Sequence, residues 1–128
     1  MKAIASGRRA AGPFSPGLEL SGFVFLSGQG GFDPESGQLA GPAIEEQTEQ
    51  TLRNVSALLA QAGCTLADVV SCLVHLADLS LYPRFNAVYA RHFREPLPTR
   101  TTVGAQLVLG MLVEITVVAR KPGPAGGP

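Results

Sequence analysis

The stretch Leu112-Val113-Glu114-Ile115-Thr116-Val117-Val118-Ala119-Arg120 decides how this chain folds. Its β-branched run reads as a strand. Alternate residues of a strand face opposite sides, so Val113, Ile115, Val117 and Ala119 share one face and Leu112, Glu114, Thr116 and Val118 the other. Both faces are apolar. Residues 69–77 repeat the pattern, with Cys72, Val74 and Leu76 on one side and Leu73, His75 and Ala77 on the other. Phe23/Phe25 and Val24/Leu26 do the same. A sheet built from such strands needs a cover on each face.

Working outward, Leu18-Glu19-Leu20 and Phe23-Val24-Phe25-Leu26 flank Ser21-Gly22, a hairpin with a two-residue turn. A second turn, Asp33-Pro34-Glu35-Ser36-Gly37, follows. Pro42 suits the first turn of a helix, with Glu45 and Glu46 placed well against its dipole. Ile44, Leu52, Val55, Leu58, Leu59 and Ala62 form its apolar stripe, Thr48 and Thr51 lie inside that stripe, and Gly63 supplies the stop. Ser80 can cap a second helix whose face is Leu81, Phe85, Val88, Tyr89 and Phe93, ended by Pro96 and Pro98. Residues 101–105 and 112–120 read as further strands joined around Gly110. The expectation is an α+β fold in which one mixed sheet carries two helices on a single face. The second face then needs another subunit, which predicts an obligate homo-oligomer.

The 128 residues suit a single domain over 1–120, with a disordered Pro/Gly tail over 121–128. With 45% hydrophobic and 16% charged residues the chain is not of the disordered class. Zero formal net charge removes the simplest electrostatic case for nucleic acid or an anionic membrane. Cys64 and Cys72 form no Cys-x-x-Cys and read as buried structural thiols. His75 and His92 lack metal-ligand spacing, so neither metal nor cofactor is expected. The N-terminus lacks the apolar core of a signal peptide, and the apolar stretch 107–119 is interrupted by Gly110, Glu114 and Thr116. The expected location is the cytoplasm.

Two residues stand out chemically. Glu114 sits mid-strand on a face that a neighbouring subunit would bury, where a carboxylate needs a partner or a role; a solvated strand edge is the plainer reading. Arg100 stands at the mouth of a strand, where its fork could grip a carboxylate or make a surface ion pair. Ser27-Gly28-Gln29-Gly30-Gly31 lacks the Gly-Lys-Ser/Thr of a phosphate loop and marks a place where the backbone approaches something closely. No Gly-x-Ser-x-Gly elbow or nucleophile–base pair is evident.

Taken in order, Gly12-Pro13-Phe14-Ser15-Pro16, Ser27-Gly28-Gln29, Gln50-Thr51-Leu52-Arg53-Asn54-Val55, Phe85-Asn86-Ala87-Val88-Tyr89, Pro98-Thr99-Arg100-Thr101-Thr102-Val103 and Val113-Glu114-Ile115 resemble the YjgF/RidA family across residues 2–120. The resemblance implies a chorismate-mutase-like subunit, a homotrimer with intersubunit clefts, and hydrolysis of 2-imino or 2-enamino acids to 2-keto acids and ammonia. It assigns Arg100 to the substrate carboxylate and Glu114 to the attacking water. Ser27, Gly28 and Asn86 are assigned to the pocket lining. Two positions depart from the family. Phe14 replaces a common Tyr, keeping the pocket wall but losing a hydrogen bond of about 0.5–1.5 kcal/mol. Thr102 replaces a common Cys and removes a thiol. Alternatives from other classes are a non-catalytic trimer that binds small carboxylates and the ribonuclease or translation inhibitor of older family labels. The neutral net charge speaks against the latter.

Overall fold

Ser21 and Gly22 both take positive φ, 53° and 81°, the geometry that lets a two-residue turn follow the twist of its strands. That turn starts the sheet. The computed structural model describes residues 1–4 and 12–123. The elements are β1 (Lys2–Ile4), β2 (Gly17–Leu20), β3 (Phe23–Leu26), α1 (Ile44–Ala60), β4 (Val69–Leu76), α2 (Tyr82–Tyr89), β5 (Thr99–Gly104) and β6 (Val113–Arg120). The strands lie in the order β1-β2-β3-β6-β4-β5. Only β4 and β5, joined through α2, run parallel; the other neighbouring pairs are antiparallel. Among the described residues no helix is long and apolar enough to cross a membrane.

The parity expected from the sequence is observed. Val113, Ile115, Val117 and Ala119 of β6 are buried with Cys72, Val74 and Leu76 of β4 and Val24 and Leu26 of β3. The α1 stripe packs into this core, Thr48 and Thr51 included. The other face stays open. Phe25 keeps 44% of its surface and Leu73 38%, and Leu20, Phe23 and Val103 are exposed beside them. The helices therefore cover one face of a sheet that is apolar on both.

Several local expectations are corrected. Pro42 lies outside α1; Ala43 precedes the first turn, and Glu46 Oε1 reaches back to accept from the Ala43 amide at 3.1 Å. Gly63, at φ 76°, closes the turn after α1, where left-handed backbone suits a residue without Cβ. Ser80 caps nothing. Asp78 accepts from the Ser80 amide at 2.9 Å and caps a short 3₁₀ turn, and α2 begins after it with Pro83 in its first turn. Helix α2 ends at Tyr89, well before Pro96, and Phe93 joins the core from extended backbone. Strand β5 starts two residues earlier than expected, with Arg100 inside it. Lys121, the first residue of the segment read as an unpacked tail, donates its amide to Gly22 and its Nζ to Glu19 at 2.6 Å; residues 124–128 of that segment lie outside the described residues.

Gln47 was not anticipated. It is buried in α1, donates to the Gly41 carbonyl at 2.8 Å and accepts from the Leu112 amide at 2.9 Å. One side chain thus ties the start of α1 to the entry of β6. Gln47→Ala should leave both partners unpaired and lower stability by about 2 kcal/mol; a urea midpoint equal to wild type would show the strap contributes nothing.

Candidate functional site

Arg100 lies on the helix-covered face. It pairs with Cys72 across β4/β5, and Cys72 pairs with buried Val117 across β4/β6. Its guanidinium is held from α2: Nη1 donates to Asn86 Oδ1 at 2.8 Å and Nη2 to the Tyr82 hydroxyl at 2.6 Å. The Tyr89 ring centroid lies 4.6 Å from Cζ, with Tyr82 and Phe85 at 5.5 and 5.7 Å. Three aromatic faces and two oxygens therefore fix the orientation of one cation. Of five guanidinium N–H groups, Asn86 and Tyr82 occupy two, which leaves a carboxylate the pair it needs. Thr102, half-buried and two residues along β5, shares this face.

Beneath the guanidinium lie Tyr89 and Cys72. Burial, then the neighbouring Cys72 thiol, holds the Tyr89 phenol above the ordinary tyrosine range. Burial likewise raises the Cys72 thiol, against a lowering by Tyr89 and Arg100.

Glu114 is elsewhere. It pairs with His75 across β4/β6, and His75 pairs with Val103 across β4/β5, so all three side chains share the open face. Positions 72 and 75 of β4 differ by an odd number, which sets Arg100 and Glu114 on opposite faces of one sheet. The sequence reading grouped these two residues; within one chain the fold keeps them apart.

Glu114 has company of its own. The chain after β3 passes so close that a Cβ placed on Gly28 would lie 2.7 Å from the Glu114 carboxyl carbon. A Cβ on Gly31 would lie 2.6 Å from the Gln47 carbonyl oxygen of α1. The glycine run is thus the close backbone approach its sequence suggested. Ser27 donates its hydroxyl to the Ser15 carbonyl at 2.6 Å, fastening the segment that carries Phe14. That hydroxyl can still accept a hydrogen bond, but its proton is committed. Phe14 is exposed.

The predicted residues therefore fall into two sets. Arg100, Asn86 and Thr102 belong with α2 and β5; Glu114, Gly28, Ser27 and Phe14 belong with β6 and the segments flanking the hairpin. Sequence reasoning missed Tyr82 and did not connect Cys72 or Tyr89 with the arginine. The spacing of Tyr82, Asn86 and Tyr89 along one helical face was the available signal. Burial raises Cys64 as well as Cys72. Neither thiol should react with Ellman's reagent in the native protein near pH 8, and both should react after denaturation; rapid native labelling would contradict their placement.

Comparisons with known proteins bear on the family and the fold. The family described as endoribonuclease L-PSP matches residues 5–121. A RutC family protein of Saccharolobus solfataricus is 40% identical over 111 residues, 86% of this chain and 88% of that one. The 2-iminobutanoate/2-iminopropanoate deaminase of Mus musculus is 37% identical over 111 residues, covering 86% and 82%. The crystal structure of Escherichia coli TdcF with bound serine superposes with a TM-score of 0.88 at 30% identity, covering 95% of this chain and all of that one.

Proposed function

This chain belongs to the endoribonuclease L-PSP family, the YjgF/RidA group, and from that premise we propose that it hydrolyses 2-imino acids, or their 2-enamino tautomers, to 2-keto acids and ammonia. Arg100 takes the substrate carboxylate with two of its remaining N–H donors. Glu114 holds a water against the imine carbon. That carbon is electrophilic already, so the reaction requires no covalent nucleophile. The water oxygen bonds to the carbon as Glu114 receives a proton, and the nitrogen is protonated in turn. The C–N bond then breaks as the new hydroxyl gives its proton to Glu114 and closes the carbonyl, and ammonia leaves. Orientation together with acid–base help of about 10²–10⁴-fold is sufficient for so labile a bond.

The observation that carries this reading is the separation of Arg100 and Glu114 onto opposite faces. One chain cannot bring both to one substrate. A second copy can, if its Arg100 side meets the Glu114 side of the first. The exposed Leu20, Phe23, Phe25, Leu73 and Val103 supply an apolar surface for such a contact. We therefore place the site in clefts between the subunits of a homotrimer. Phe14 walls the cleft, while Ser27, Gly28, Asn86 and Thr102 line it.

A trimer that merely binds small carboxylates would use Arg100 equally well. Glu114 distinguishes the two readings, because an anion facing an anionic ligand weakens binding and has a purpose only when a proton must move.

The test couples a serine/threonine dehydratase, as the source of imine, to keto-acid release. Wild type should accelerate hydrolysis, and Arg100→Ala and Glu114→Ala should each reduce the rate to that of buffer. Unfolding the two variants together and refolding them as mixed trimers should recover about a quarter of wild-type activity, since one cleft in four then pairs an intact Arg100 with an intact Glu114. Lack of recovery would refute the shared cleft. A wild type no faster than buffer across several amino-acid precursors would refute the deaminase.

A further inference from the structure

Tyr82 opens α2 at the rim of the arginine cradle and keeps 37% of its surface exposed. Its hydroxyl oxygen accepts from Arg100 Nη2 at 2.6 Å. A phenol that accepts still has its own proton to give, because a tyrosine hydroxyl is donor and acceptor at once. Among the described residues nothing accepts that proton. Accepting from a guanidinium also polarises the O–H and makes it a stronger donor.

The position of this unspent donor is informative. Asn86 and Tyr82 each engage a different terminal nitrogen of Arg100, and the fork cannot turn without breaking one of the two bonds. A carboxylate that docks on the remaining N–H groups therefore meets the fork next to Nη2, where the Tyr82 oxygen already lies in contact. The Tyr89 and Phe85 rings lie beside the guanidinium, with centroids 4.6 and 5.7 Å from Cζ.

We propose that Tyr82 is a substrate-binding residue whose hydroxyl donates a third hydrogen bond to the carboxylate held by Arg100. The assignment rests on the deaminase reading of the Arg100 site and deepens it by defining the ligand class. Three donors converging on one group suit an ionised carboxylate, which accepts at every lone pair and brings no hydrogen of its own. A primary amide would turn N–H groups toward N–H groups, and an ester would lose the charge. The site thus selects free 2-imino and 2-keto monocarboxylates over their amides and esters. Tyr82 also gives the cleft a phenolic hydroxyl that Phe14 cannot supply.

The probe is 2-oxobutanoate, titrated calorimetrically into wild type, Tyr82→Phe, Arg100→Lys, Arg100→Ala and the Tyr82→Phe/Arg100→Lys double variant. Tyr82→Phe keeps the ring and removes only the oxygen. It should weaken binding about tenfold, as loss of a hydrogen bond to a charged group does. In the Arg100→Lys background, where no fork remains to be oriented, the same change should still weaken binding several-fold. Wild-type affinity in Tyr82→Phe would overturn the proposal. A loss confined to the Arg100 background would overturn it too, because Tyr82 would then only orient the arginine. A wild type that binds no better than Arg100→Ala would instead overturn the carboxylate role of Arg100, and the Tyr82 contact would fall with it.

Discussion

Side chains on a strand alternate faces with a period of two, and that parity governs this molecule. It sends one half of each strand into a core with α1 and α2 and the other half, Phe23, Phe25 and Leu73 among them, to a face the helices do not reach. It also separates the chemistry. Arg100 is two residues from Thr102 and shares its face, whereas Glu114 shares the face of His75 and Val103. A shift of one residue in the β4/β6 register would move Glu114 into the core, where an unpaired carboxylate is far too costly. The buried Val113, Ile115 and Val117 prevent that shift.

The two faces are prepared differently. Arg100 is fixed before any ligand arrives, with its charge spread against aromatic rings and its donors partly occupied. In the role we propose, the cation would not have to rearrange when a carboxylate docks, which would lower the entropic cost of binding. Glu114 is positioned by backbone: Gly28 lets the chain lie against the carboxylate, and the Ser27 bond to Ser15 anchors the neighbouring segment. In the cleft we propose, a rigid cation on one face and a backbone-framed carboxylate on the other would be complementary halves.

Supporting links hold these halves in register with the core. Gln47 joins the beginning of α1 to the entry of β6, only two residues before Glu114. Arg84 of α2 forms a two-pronged ion pair with Glu45 of α1, at 2.7 and 2.8 Å, and holds that carboxyl down near a pKa of about 2. The helix that presents Asn86 and Tyr82 is thereby tied to the helix that covers the core.

Much of this was legible in the sequence because it follows from local periodicity. The alternation in 112–120, the α1 stripe from Ile44 to Leu59, the Ser21-Gly22 turn and the stop at Gly63 are each written in neighbouring residues, and so is the second apolar face of the sheet. The motifs of the YjgF/RidA family carried the kinship, and with it Arg100 and Glu114 as the residues to examine. Other features could not be read this way. The capping of the turn before α2 by Asp78 rather than Ser80 depended on where the backbone turned, and the embrace of Arg100 by Tyr82 depended on how α2 settles on the sheet. Above all, the assignment of Arg100 and Glu114 to opposite faces required the pairing of three strands. Composition and spacing determine what each segment can become. Only the register between β4, β5 and β6 decides which side chains share a surface, because that register is set by packing between residues distant in the chain.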